Sequence, residues 1–389
     1  MIARYQELFG TTEHVRVFRA PGRANLIGEH TDYNDGFVLP TALELATWIA
    51  RGPRQDGKLC VHSLDRQESR EFDVANLAEL RPTKHWTDYV IGVGQLLLKQ
   101  GYEIGPANFL IGSTVPDGSG LSSSAALEVS SGLAFLNGRK IDGITLAKLC
   151  QRAEIDFVGM PCGIMDQYIS VFGQAHRAIR IDCRTLEGRP VSLPGGIAIL
   201  VVNSLVKHEL ASSAYRERVA QCAAAVEAIQ KIDPRVKKLR DATLDLLARA
   251  EMDPVIRRRA HHIITEDLRV DEFIALAERA DFRGMGQLWT TAHRSLQHDF
   301  EISCEELDFL VETAIQIPGA WGARMTGGGF GGCTINLVAE DAVESFTKAI
   351  VEAYAAKYHK QAPVFRCVPS AGAGEVTGSG DIPVFHPST

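Results

Sequence analysis

The stretch GARMTGGGFGGCTINL, residues 322–337, decides the fold class. It carries G-x-G-x-x-G at Gly327, Gly329 and Gly332, the spacing of a dinucleotide-binding turn. Such a turn has to open a helix, because the pyrophosphate rests on the helix N-terminus. Here the β-like run CTINLVA follows the glycines instead. The dinucleotide reading fails at this point. Two readings of the cluster stay open: a glycine-rich turn between strands, or a place where backbone closely approaches another loop or a ligand.

Working outward, the first half mixes β-like runs at residues 15–18 and 58–63 with helical stretches at 91–99 and 121–136. Residues 187–196, EGRPVSLPGG, are rich in Gly and Pro and lead into the β-like IAILVVNS. We expect the domain boundary there, dividing the chain into 1–190 and 191–389. The second half opens with helical sequence over 211–231 and stays helical between 242 and 297, interrupted at Pro254. Strands and helices mix without the βαβα rhythm of a doubly wound sheet. That predicts an α+β architecture.

Composition narrows the function. The chain has 389 residues, room for two domains, and is 45% hydrophobic and 23% charged, as soluble globular proteins are. Lys and Arg total 41 against 48 Asp and Glu, a net charge of −7 that argues against a nucleic-acid partner. The longest apolar run, Ile197–Val202, is six residues, and MIARYQELFG lacks the apolar core of a secretory signal, so neither a membrane partner nor secretion is expected. Eight cysteines stand singly, with no C-x-x-C pair. They read as buried thiols in a reducing cytoplasm, the expected location. No repeat or long low-complexity tract is present.

Two further clusters carry chemistry. PGRANLIGEHTDYNDGFVLP, residues 21–40, sets Arg23, Asn25, Glu29, His30, Asp32, Tyr33 and Asn34 among Leu26, Ile27, Val38 and Leu39. Charges embedded in apolar sequence have to be paired or put to use. A sugar, whose hydroxyls both donate and accept, needs such a set. STVPDGSGLSSSAALEV, residues 113–129, turns through Gly118-Ser119-Gly120 into three serines and a helix. Backbone N–H groups there can converge on phosphate, and a serine hydroxyl can reach Mg²⁺. A serine-capped helix needs fewer serines than this. Yet no G-x-x-x-x-G-K-[ST] exists, since the only Gly-Lys pair, Gly57-Lys58, precedes Leu59. Glu154 near a helix end and Asp166 after the turn GMPCG could ligate metal or act as a base, though taken alone they read as a solvated residue and a cap.

With these segments in view, the sequence resembles the galactokinases of the GHMP small-molecule kinase family. GRANLIGEHTDYN resembles the galactokinase signature, PDGSGLSSSA the phosphate-binding motif and GARMTGGGFGGCT the third, glycine-rich motif. HWTDYVIGV, GMPCGIMDQY, NSLVKHELASSAY, RRRAHHIITEDLRV and AHRSLQHDFEISCEELD match as well, in family order over almost the whole chain. The resemblance implies a two-lobed GHMP kinase fold with the active site in the inter-lobe cleft. It also implies ATP-dependent phosphorylation of α-D-galactose at the anomeric hydroxyl. Asp166 matches the catalytic aspartate, and Arg23 the arginine beside it. Glu29, His30, Asp32, Gly163 and Tyr215 match sugar-contacting positions. Gly118, Ser119, Gly120, Leu121, Ser122, Ser123 and Ser124 match the phosphate loop. Ser124 and Glu154 are the Mg²⁺ ligands it implies, and Trp86 falls near the adenine. Galactose and ATP are thus the expected partners of a monomer.

Departures from the family pattern are few. Asp117 and Ser119 stand where relatives often carry neutral or smaller residues, and Asp117, in a Pro-Asp-Gly turn, is expected to face solvent. Ala214 replaces a common glutamate before Tyr215, leaving open how that tyrosine is held. A non-catalytic sugar sensor would lack the Ser-Ala pair, which is intact here as Ser124-Ala125. A kinase for N-acetylgalactosamine or L-arabinose would keep the same chemistry and differ only in the sugar it accepts.

Overall fold

The computed structural model describes residues 1–207, 211–377, 382–383 and 385. The chain opens with α1 (Ile2–Phe9), β1 (Arg16–Asn25), β2 (Phe37–Val38), β3 (Pro40–Pro53), β4 (Lys58–Ser63) and β5 (Glu68–Asp73). Then come α2 (Thr87–Lys99), β6 (Ala107–Ser113), α3 (Ser123–Leu136), α4 (Gly143–Ala153) and α5 (Met165–Phe172). Strands β7 (Arg177–Asp182), β8 (Glu187–Ser192) and β9 (Ile197–Lys207) lead to α6 (Ala211–Gln230), α7 (Leu244–Arg249), α8 (Pro254–Glu278), α9 (Phe282–Ser295) and α10 (Glu305–Ala314). The chain ends with β10 (Ala320–Thr326), β11 (Gly331–Ala339), α11 (Val343–Tyr358), β12 (Val364–Arg366) and β13 (Gly374–Val376). Residues 208–210 of NSLVKHELASSAY lie outside the described residues.

Among the described residues these strands form three sheets, in the orders β13-β1-β3-β6-β4-β5, β10-β11-β9-β12 and β2-β7-β8. The β4–β6 pair is parallel and the other pairs are antiparallel, so strands and helices combine as an α+β fold. Helices α2, α3 and α4 cover the six-stranded sheet, packing Val90, Val129 and Leu149 on Ile49, Leu59 and Phe109. The four-stranded sheet is buried on both faces. Ile199, Val201, Ile335 and Leu337 point toward Phe273 of α8 and Trp289 of α9, whereas Ala198, Leu200, Val202 and Val338 meet Leu310 of α10 and Phe346 of α11. The alternation follows from the two-residue period of a strand. It also explains why IAILVVNS and CTINLVA read as nearly continuous apolar runs.

Pro254 separates two helices by starting the second. It stands in the first turn of α8, where no N–H is needed, while the Asp253 side chain accepts from Val255 N–H at 2.7 Å. The expected division after residue 190 falls inside β8, whose pairing with β7 runs on to Ser192. Pro190 is tolerated because β8 is an edge strand. The break before β9 comes at residues 193–196. Among the described residues, no helix is long and apolar enough to cross a membrane.

Both readings of the third glycine cluster hold together. The cluster is the turn between β10 and β11, and at Gly327 a Cβ would stand 2.6 Å from the Gly120 carbonyl oxygen. The φ of +85° at Gly327 suits glycine in any case. The turn therefore backs directly onto the loop that leads into α3.

Candidate active site

Arg23 and Asp166 meet although 143 residues separate them. Arg23 follows a register shift in β1 between Pro21 and Arg23, a bulge that re-aims the side chain. Asp166 sits in the first turn of α5. Arg23 is 4% exposed, and its guanidinium forks onto the carboxylate, Nε to Oδ1 and Nη2 to Oδ2, both at 2.9 Å. Arg23 Nη1 donates to the Gly120 carbonyl, and its backbone N–H to the Leu121 carbonyl at 3.0 Å. Ser122 adds a hydroxyl bond to Asp166 Oδ2, and its φ of +61° is rarely adopted by serine. The loop entering α3 is thus built around the pair.

A cavity of about 160 Å³ opens beside them, lined by Arg23, Glu29, His30, Asp32, Gly163, Asp166 and Tyr215, with Glu154, Gly327 and Gly328. Burial holds His30 down at about 3, so its ring is neutral at ordinary pH. Its Nε2 lies 3.3 Å from the Gly328 carbonyl, which can only accept. Nε2 therefore carries the hydrogen, and Nδ1 accepts from the Tyr33 hydroxyl at 2.8 Å. The Tyr215 ring packs on His30 at 5.1 Å and on Tyr33 at 5.7 Å between centroids, which holds it without a glutamate at position 214. Burial and the Asp166 charge push Asp32 up to about 6, against the Tyr33 N–H it accepts at 3.0 Å. Glu29 is pushed up to about 7 by burial, outweighing the Arg324 guanidinium it contacts.

A larger cavity of about 450 Å³ is lined by Ser123, Ser124, Trp86, Tyr89, Asp65 and Thr47, among others. The Trp86 indole N–H donates to Glu68 at 3.1 Å. The residues expected as a phosphate loop divide in their roles. Ser123 and Ser124 face this cavity, Ser122 turns to Asp166, and the fully buried Leu121 joins the core. Ser119 donates back to the Pro116 carbonyl at 2.6 Å, and Gly118 and Gly120 take positive φ. Asp117 is exposed and pairs with Arg66 at 2.8 Å.

Glu154 lines the smaller cavity, and Ser124, which lines the larger one, stands near enough to favour the charged form of its carboxyl. Glu154 begins a π-helical turn, Glu154–Val158, that extends α4, a widening common at functional sites. Burial and the Asp166 charge push its carboxyl up to about 7. Gln167 Nε2 donates to Glu154 at 2.8 Å and to Glu128 at 2.9 Å. Burial and the Glu154 charge push Glu128 well above the carboxylate range, and its Oε1 has no hydrogen-bond partner among the described residues. Among the described residues, no group of three or more His, Cys, Asp or Glu could hold a metal unaided. Ser124 and Glu154 offer a hydroxyl and a carboxylate, which suit a hard cation whose other ligands come from phosphates.

Sequence reasoning did not single out Glu128, Gln167, Cys162, Glu266 or Arg324. Glu128 had a signal, a lone carboxylate in the small-residue run SAALEVSSG. All eight cysteines are free, and six are buried. Cys162, half-buried, lines the smaller cavity 3.7 Å from Glu154.

Residues 3–53 match the galactokinase galactose-binding signature, residues 88–174 the GHMP kinase N-terminal domain and residues 273–356 the GHMP kinase C-terminal domain. The chain is 43% identical over 377 residues to a galactokinase of Roseiflexus sp. (strain RS-1), covering 96% of each. It is 41% identical over 383 residues to a galactokinase of Chloroflexus aurantiacus, covering 97% of this chain and 98% of the relative. Among solved structures, Lactococcus lactis galactokinase complexed with galactose superposes with a TM-score of 0.90 at 34% identity, over 96% of this chain and 98% of that one. A mevalonate kinase shares the fold at a TM-score of 0.65 and 20% identity, over 90% of this chain and 98% of that one.

Proposed function

Because the chain belongs to the galactokinase family of GHMP kinases, we propose that Asp166 and Arg23 carry its reaction, with sugar in the smaller cavity and ATP in the larger. The reaction is the ATP-dependent phosphorylation of α-D-galactose at its C1 hydroxyl, giving α-D-galactose 1-phosphate and ADP. Asp166 accepts the hydrogen bond of that hydroxyl and takes its proton as the new bond to phosphorus forms. The Arg23 fork fixes the carboxylate's orientation and brings positive charge to the transferring phosphoryl group. Phosphoryl transfer needs little else from protein beyond positioning.

Glu29, Asp32 and Tyr215 serve the remaining hydroxyls, His30, whose ring nitrogens are both engaged, packs against the sugar as a wall of the pocket, and Gly163 leaves room for the Asp32 carboxylate. The loop Gly118–Ser124 cradles the phosphates, Trp86 stands near the adenine, and Ser124 and Glu154 hold Mg²⁺. Their oxygen donors fit that ion, and Glu154 makes no ion pair among the described residues. The cation, when bound, neutralises charge on the phosphates. We further propose a cytoplasmic monomer; the eight free thiols support the compartment, and size-exclusion chromatography checks the oligomeric state.

The bidentate Arg23–Asp166 pair, lining the smaller cavity beside Glu154, carries this reading. A coupled ADP-release assay with galactose, paired with calorimetric sugar binding, tests it. Turnover that collapses in Asp166→Asn while galactose still binds is the expected result. Sugar binding without turnover in the wild type would make the protein a sensor.

A further inference from the structure

One buried cation plays no part in that chemistry. Arg324, on β10, is fully buried, and its Nη2 contacts the Glu29 carboxylate and lies 3.1 Å from Glu266 Oε1. Its Nη1 donates to the Leu26 carbonyl at 3.3 Å and its Nε to the Met325 carbonyl at 3.2 Å. A single guanidinium thus touches two acids and the backbone of both the signature segment and β10.

The two acids are not held alike. Glu266, on α8, also pairs with Arg269 at 3.0 Å and accepts the backbone N–H groups of Gly28 at 3.0 Å and Glu29 at 3.3 Å. Burial alone would raise it, but Arg324, His262 and Arg269 together bring it down to about 2. Apart from Arg324, the Glu29 carboxylate accepts the Gly327 N–H at 3.2 Å. Glu266 is therefore a fixed anchor, whereas Glu29 depends on one cation for its orientation. Glu29 lines the smaller cavity, and Arg324 does not.

We infer that Arg324 is a positioning residue of the sugar site: its shared contact with Glu29 and Glu266 sets the direction in which the Glu29 carboxylate faces the sugar. The inference rests on reading the smaller cavity as the sugar pocket. Lysine at this position keeps the charge but loses the fork that spans two carboxylates and two carbonyls at once.

The test compares steady-state kinetics of Arg324→Lys, Glu29→Gln and the double variant. Arg324→Lys is expected to raise the galactose KM about tenfold or more while the ATP KM stays within about twofold. On the Glu29→Gln background, Arg324→Lys is expected to add little to the galactose KM, because the group it orients has lost its charge. A residue that merely supports the fold would shift both KM values and kcat together, or add its full effect in the double variant. Either result overturns the inference. If Arg324→Lys does not accumulate folded, Glu266→Gln reads the same coupling. A smaller rise in galactose KM that disappears on the Glu29→Gln background supports the inference, and an unchanged galactose KM sinks it. If Glu29→Gln alone leaves the galactose KM untouched, the pocket reading of Glu29 fails and the inference with it. If Glu29→Gln raises that KM and Arg324→Lys does not, the inference alone fails.

Discussion

Gly163→Ala puts one methyl group where the structure has no room for it. A Cβ there would lie 1.8 Å from Asp32 Oδ2 and 2.0 Å from its Cγ, whereas real contacts start near 3.0 Å. The carboxylate therefore has to retreat by at least about 1.2 Å. It cannot do so freely, since Oδ1 is bound by the Tyr33 N–H at 3.0 Å. The alanine itself is conformationally acceptable, because residue 163 has no positive φ. The effect thus falls on the pocket and not on the chain's own geometry. Losing one charge-assisted bond to a sugar hydroxyl is worth about 1.5–3 kcal/mol, or about 10- to 100-fold in galactose affinity. Calorimetric titration of galactose measures it directly, with the melting temperature as a check on folding. In Asp32→Ala the clash partner is gone, so adding Gly163→Ala should change galactose affinity by less than about twofold. Wild-type affinity in Gly163→Ala, or full additivity in the double variant, would refute the reasoning.

Asp166→Asn should lower kcat by about 10²–10⁴-fold with galactose affinity nearly kept, and Arg23→Ala should lower turnover strongly; wild-type-like kinetics in either would undo its role. Glu154→Gln should weaken Mn²⁺ binding in the presence of ADP by about tenfold or more, read by electron paramagnetic resonance; unchanged binding would remove Glu154 from the metal site. Asp32, ordinarily at 3.8, sits at about 6 in the fold, so the folded state favours its protonated form. Its contribution to stability is full below pH 3.8 and is lost as pH rises through about 6. Asp32→Asn should therefore gain melting stability over the wild type between about pH 4 and 6, on the order of 3 kcal/mol, and hold that gain above; a pH-independent difference would contradict this. Gly327→Ala should destabilise the fold by about 1–3 kcal/mol in denaturant unfolding, since its Cβ strikes the Gly120 carbonyl and its φ is left-handed; unchanged stability would mean the two loops part easily.

Local signals made much of the fold legible. The β-like reading of residues 58–63 coincides with β4, because its short run around the apolar Leu59, Cys60 and Val61 is interrupted by no glycine or proline. The helical reading of 121–136 begins two residues early: Leu121 and Ser122 belong to the bend that meets Arg23, and Ser122 is left-handed. EGRPVSLPGG looked like a linker, and most of it is an edge strand, where proline loses no needed bond. Contiguous motifs likewise showed which residues to watch at the site, since charges set among apolar neighbours need a reason. Their partners were hidden. Glu266 sits in RRRAHHIITEDLRV, where dense charge reads as a solvated helix face, yet it is fully buried against Arg324. Only the tertiary fold brings α8 and β10 to the signature segment, so no spacing along the chain could signal that ion pair.

The same geometry explains why so many acids at this site are displaced upward. Asp32, Glu128 and Glu154 are each raised first by burial and then by a neighbouring carboxylate, Asp166 for Asp32 and Glu154, and Glu154 for Glu128. The Arg23 guanidinium is committed to Asp166 by both arms of its fork. A fold selected for stability alone would not gather carboxylates this way, because like charges in a dry pocket oppose folding. On the proposed assignment, sugar hydroxyls would supply donors to Asp32 and a cation carried by nucleotide phosphates would supply charge to Glu154, so each substrate would relieve a different part of the same repulsion. Asp166 couples the two, because its charge raises both Asp32 and Glu154.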